Sequence, residues 1–191
     1  MGTPNVQICA GFLHDAADFL ERFRLCEHPF RSTKWRRVRL CMELRFSYEC
    51  ALKSVIAYAR PPGEDEVQIV DHLKGIGHDL RGLADAAAPA LSDTFKVALS
   101  DDAAQLDLLP VDLRYRVESN LLTQYAERLY YETAGSDDWM ERVAQYLQKV
   151  CQSINTVLDS RSKVVHVSEI EPRDPELTRR QMKHIERWWG V

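Results

Sequence analysis

The sequence predicts an all-α protein, an antiparallel bundle of five to seven helices. Apolar residues recur at steps of three and four along most of the chain, the spacing that gathers them on one face of a helix. The one β-like run, Val164-Val165-His166-Val167, is too short to build a sheet. Proline and glycine punctuation at His28-Pro29, Pro61-Pro62-Gly63 and Gly135-Ser136 cuts the chain into pieces of helix length.

The first helix is expected over residues 5–26, with Ile8, Phe12, Ala16, Phe19, Leu20 and Phe23 inward and Asp15, Asp18 and Glu21 outward. His28-Pro29 ends it, because the residue before a proline is pushed out of the helical region. Ser32 or Thr33 then caps a long second helix reaching Arg60. Its apolar face, Val38, Cys41, Leu44, Tyr48, Ala51, Leu52 and Val55, is broad enough for a central helix. On its surface Arg39–Glu43, Arg45–Glu49 and Glu49–Lys53 are spaced to pair.

A third helical stretch over 66–88 carries the seam Ile69, Leu73, Ile76, Leu80, Leu83 and Ala87, with Gly75 and Gly77 marking a break before His78-Asp79. Residues 89–100 read as a weaker helix, Ser100-Asp101-Asp102 as a turn or cap, and 106–115 as a structured loop interrupted by Pro110. Helix resumes over 118–133 with Leu121, Leu122, Tyr125 and Leu129. Gly135-Ser136-Asp137 caps the clearest helix, 137–160, whose face is Met140, Val143, Ala144, Leu147, Val150, Cys151, Ile154 and Leu158. After an irregular 162–175, a short basic amphipathic helix sets Arg179, Arg180, Lys183 and Arg187 opposite Leu177, Met182, Ile185 and Trp189. The expected layout is one domain: an N-terminal helix over 1–30 packing on a bundle over 31–165, then an extension over 166–191.

With 191 residues, 45% apolar and 28% charged, the chain can bury one sizeable core, and wholesale disorder is excluded. A net charge of −4 gives no global attraction to a polyanion, so any nucleic-acid contact needs a local basic patch. The start has no basic region before an apolar run and Val6 breaks the myristoylation pattern, so neither a secretory signal nor a lipid anchor is expected. No apolar stretch is long enough to span a bilayer. The five cysteines are scattered without a Cys-x-x-Cys pair, as expected of reduced, core-filling thiols in a cytoplasmic protein. Neither a zinc spacing, a Gly-rich phosphate loop nor a nucleophile elbow occurs, so no metal and no cofactor is expected.

Chemistry concentrates in three segments: Glu49-x-x-x-Lys53 on the second helix, Gly77-His78-Asp79-Leu80-x-x-Leu83 at a helix start, and Arg114-Tyr115-Arg116. In this order they resemble the HEPN family, whose members show a Glu-x-x-x-Lys helix, a Gly-His-Asp-Leu-x-x-Leu helix start and an Arg-Tyr-Pro loop. The resemblance covers roughly 36–160, and departs where Arg116 replaces the proline. It implies a HEPN-like bundle, often dimeric, linked to nucleotide binding, to partnership with small nucleotidyltransferases or to RNA cleavage, within a toxin, defence or regulatory pair.

Physically, Lys53, His78 and Arg114 are donors suited to a phosphate, with Asp79 orienting His78 and Tyr115 stacking on a base. The bland alternatives are a surface Glu49–Lys53 pair, Asp79 as a helix cap, His78 bonded to a backbone carbonyl, and Arg114 pinning its own loop. RNA-cleaving members of the family carry Arg, four to six residues, then His. Arg161 and His166 fit that pattern and would be the catalytic pair of a metal-independent endoribonuclease. Lys34, Trp35, Arg36, Arg37 and Arg39 form the most basic run, either a grip on phosphates and a base or a solvated helix start. Trp188-Trp189 is expected to dock on the bundle or cover an apolar patch in a homodimer. The expected function is nucleotide or RNA binding; the alternatives are the endoribonuclease and a non-catalytic scaffold.

Overall fold

The computed structural model describes residues 3–30, 33–61, 63–114 and 126–161, without the side chains of 28–30, 114 and 161. The chain divides into two units, Met1–Ser160 and Arg161–Val191, and the helices described below build the first. Among the described residues there are seven α-helices and no strand, so the expected all-helical architecture is present. No helix among them is long and apolar enough to cross a membrane.

Helix α2 (Lys34–Ala59) is the centre. All seven residues of its expected apolar face are buried, and so are Leu40, Met42, Ile56 and Ala57 on other faces. A helix that is apolar nearly all round has to be covered on every side, and its neighbours do this in turn. Helix α1 (Pro4–Phe30) runs along it over most of its length.

The inner stripe of α1 differs from the sequence expectation by about one position. Cys9, Leu13, Ala16, Phe23 and Cys26 are buried, while Ile8, Phe12, Phe19 and Leu20 are only half-buried. Two buried serines of α2 set this rotation. Ser54 donates to the Cys9 carbonyl at 2.8 Å and Ser47 to the Ala16 carbonyl at 2.8 Å, across a seam of small residues that lets the backbones approach. Helix α1 also continues past His28-Pro29 to Phe30. In a last turn, the missing proline N–H removes one bond near an end that is already frayed, so the helix is not broken there.

After Pro61, helix α3 (Glu66–Ile76) opens with a capping box: Asp65 Oδ1 accepts from the Gln68 N–H at 2.9 Å, and Gln68 Oε1 from the Asp65 N–H at 3.0 Å. Gly77 ends it at φ 69°, ψ −125°, a conformation that residues with a Cβ rarely adopt. Helix α4 (Leu80–Ala90) starts three residues later and buries Leu80, Leu83 and Ala87 against α2. We expect Gly77→Ala to cost about 1–3 kcal/mol through backbone strain alone, read as a lowered midpoint in urea with an unchanged m-value.

Beyond α4 the weaker helix expected over 89–100 is replaced by a different path. Pro89 lies inside α4 and withholds an N–H from the ladder. The chain then widens into a single π-helical turn (Leu91–Phe95), which Lys96 closes at φ 55°. Residues 96–100 are not helical, and Ser100 caps the short helix α5 (Asp101–Ala104), accepting from the Ala103 N–H at 3.3 Å. Two 3-10 turns, Gln105–Leu108 and Val111–Arg114, flank Pro110 where the structured loop was expected. Helix α6 (Glu127–Glu132) is the described part of the helix expected over 118–133.

Helix α7 (Asp137–Arg161) follows its sequence pattern closely, burying Met140, Val143, Ala144, Leu147, Val150, Ile154 and Leu158. Ser136 supplies its cap through the Trp139 N–H at 3.2 Å. The five cysteines are all free, and burial pushes their thiols above the ordinary value, Cys9, Cys26 and Cys151 to about 11 and Cys50 to about 12. Cys9, Cys26 and Cys41 are buried and serve as small core residues, while Cys50 and Cys151 are half-buried.

Candidate functional site

Arg45, Glu49 and Lys53 are spaced four apart on α2 and so share one face. That face is largely withdrawn from solvent. The α3–α4 junction and the 105–110 segment cover it, and the Glu49 side chain is only 6% exposed.

Glu49 is the hub. Its Oε1 accepts from Lys53 Nζ at 2.7 Å and from His78 Nδ1 at 2.8 Å, while its Oε2 faces Arg45 Nη1 at 3.9 Å without a hydrogen bond. Arg45 reaches past it: Nε donates to the Leu109 carbonyl at 2.8 Å and Nη2 to the His78 carbonyl at 3.1 Å. One guanidinium therefore ties α2 to both covering segments. Burial lowers its pKa, opposed by the carboxylates of Glu49 and Asp107, and the group stays charged because its ordinary value is so high.

His78 sits where the Gly77 turn hands the chain to α4, and its side chain is 65% exposed. A carboxylate between two cations accepts only, so Nδ1 carries the proton and Nε2 is left for a ligand or for proton transfer. Asp79 does not orient His78. It is the N-cap of α4, with Oδ1 accepting from the Arg81 N–H at 3.1 Å, which is the capping alternative read from the sequence. His78 itself bonds to a buried carboxylate and not to a backbone carbonyl, and the Glu49–Lys53 pair is inside the protein, not on its surface.

Of the expected phosphate ligands, the structure joins Lys53 and His78 through Glu49. Arg114 closes the second 3-10 turn, which packs on α2, and its side chain lies outside the described residues, as does Tyr115. Of the expected catalytic pair, Arg161 is the last residue of α7, with its side chain outside the described residues, and His166 lies outside them too, as do Trp188 and Trp189.

The basic run at the start of α2 is dispersed among structural contacts. Arg37 is buried, donates from Nε to the Ala134 carbonyl at 2.8 Å and pairs with Asp137. Lys34 lies over the Tyr130 and Tyr131 rings, 5.4 and 5.2 Å from their centres, and Arg36 lies 5.4 Å from the centre of the Trp35 ring. Burial lowers the pKa of Arg39, with Glu43 opposing. Among the described residues no cluster of three or more His, Cys, Asp or Glu is arranged to hold a metal ion.

The residue that sequence reasoning placed in a surface pair and that proves central is Arg45. Its position beside Tyr48 and Leu52 was the available signal, since a helix apolar nearly all round has little solvent face left for charges. No family model, no curated protein and no solved structure matches the chain.

Proposed function

We propose that this chain is a HEPN-like helical domain that binds a nucleotide or RNA, with His78 Nε2 and Lys53 directed to a phosphate. The observation that carries the reading is an exposed imidazole whose inner nitrogen is fixed by a buried carboxylate. A buried ionic cluster adds little net stability compared with apolar packing. It does hold one ring nitrogen in place and leave the other available, as a phosphate site or a proton relay requires. Arg45 and Lys53 against Glu49 leave one excess positive charge, with Asp107 the next carboxylate toward Arg45. The order of the Glu49–Lys53, Gly77–Leu83 and Arg114–Tyr115 segments adds the family resemblance, and with it a homodimer or a small nucleotidyltransferase as partner.

Calorimetric titration of the full chain with ATP, GTP and a short single-stranded RNA tests the proposal. His78→Ala and Lys53→Ala should each weaken binding by about tenfold or more, the worth of one charge-assisted hydrogen bond. Absence of binding to all three, or equal affinity in His78→Ala, overturns it. Cleavage of structured RNA in EDTA that is lost in His166→Ala would instead favour the endoribonuclease.

A further inference from the structure

A cleft of about 440 Å³ opens between α4 and the 99–108 segment, with Leu80 and Arg81, just beyond the His78-Asp79 junction, in its lining. Asp85, Asp101 and Asp107 line it against a single guanidinium, Arg81, so its charged lining is net negative by two. Leu99 and Leu108 also line it, and both are exposed. Among the described residues neither Asp85 nor Asp101 makes an ion pair, and both are solvent-facing.

The independent sign of a ligand is Tyr48. This residue is 1% exposed, lines the cleft, and has no hydrogen bond to its hydroxyl among the described residues. Its oxygen is not among the side-chain atoms enclosed without a partner, so it keeps a trace of surface and is open to a ligand donor in the cleft. Burial raises the Tyr48 pKa, so the oxygen remains a neutral phenol able to accept.

We propose that this cleft binds a linear aliphatic polyamine. Its ammonium groups would meet Asp85, Asp101 and Asp107, its methylene segments would lie on Leu99 and Leu108, and one N–H would reach the Tyr48 hydroxyl. Alternating charge and hydrocarbon is what this lining selects: an apolar ligand strands the carboxylates, and an anion is repelled by them. The proposal does not rest on the phosphate reading of His78, because an acidic cleft and a basic cluster call for ligands of opposite charge.

Titration of the full chain with spermidine at low ionic strength tests this. Saturable binding at one site per chain is expected, weakened by about tenfold in the Asp85→Asn/Asp101→Asn double variant as two charge-assisted contacts are lost. Tyr48→Phe should weaken it severalfold. Asp71→Asn, on the exposed face of α3, should leave it unchanged, and neutral 1-hexanol should not bind. Because Asp85 and Asp101 are exposed, the double variant keeps the fold and decides the matter even where Tyr48→Phe melts early. No saturable binding by the wild type, or equal affinity in the double variant, overturns the proposal.

Discussion

Replacing Glu49 by alanine is expected to destabilise the protein by about 3–5 kcal/mol, the usual cost of removing one partner from a buried ion pair. The carboxylate is the counter-charge for Arg45 and Lys53, whose side chains are themselves only 5% and 12% exposed. Without it two cations remain in a low-dielectric site, and the Arg45 guanidinium keeps its bonds to the Leu109 and His78 carbonyls while losing its neutralising charge. Thermal and urea unfolding measure the loss directly. At 191 residues, a loss of about 3–5 kcal/mol corresponds to a fall in Tm of roughly 10 °C. Removing both ends with Arg45→Met/Glu49→Met should cost less than the sum of the single changes, because no charge is left stranded. If Glu49→Ala unfolds within about 0.5 kcal/mol of wild type, as surface substitutions do, Glu49 is not buried among cations.

Arg37→Ala should cost about 2–4 kcal/mol, although its place in a basic run invites a different expectation. The side chain joins the first turn of α2 to the Ala134 carbonyl and Asp137, at the start of α7, over about a hundred residues of sequence. Truncation leaves a buried carbonyl without its donor and removes a charge-assisted bond. Arg37→Lys should recover only part of this, since one ammonium cannot reproduce the fork that serves both acceptors. Lys34→Ala, an exposed neighbour in the same run, should change stability little, its ammonium lying over aromatic faces. Chemical denaturation of the three variants side by side checks the ordering.

How far a sequence pattern reaches in this fold depends on whether burial has to be known first. The inner faces of α2 and α7 follow from spacing alone, because long helices with many large apolar residues leave one solution. The rotation of α1 is not legible, since Ile8 and Phe12 are the larger residues and small Cys9 wins by allowing Ser54 to reach its carbonyl, while Ala16, expected inward, is buried and accepts from Ser47. Pro89 was not legible as the origin of a π-helical turn, because a proline predicts an interruption without saying what shape it takes. At the site, four-residue spacing named the Glu49–Lys53 pair, but the same spacing describes an exposed pair and a buried one equally well. What separates them is the cover from His78 and Leu109, contributed by distant segments. The spacing names the Arg45–Glu49 pair too, but the bonds from Arg45 to the Leu109 and His78 carbonyls depend on those same distant segments.

The Glu49–His78 contact holds the site together, and long-range proton–nitrogen NMR of His78 probes it at the atom concerned. The expected result for the free protein is a ring whose Nδ1 carries a hydrogen held by Glu49. Glu49→Gln should release that preference, and addition of the short RNA should shift the Nε2 resonance selectively among the histidines. A free ring carrying its hydrogen at Nε2 alone, indifferent to both Glu49→Gln and RNA, would contradict both the contact and the site built on it.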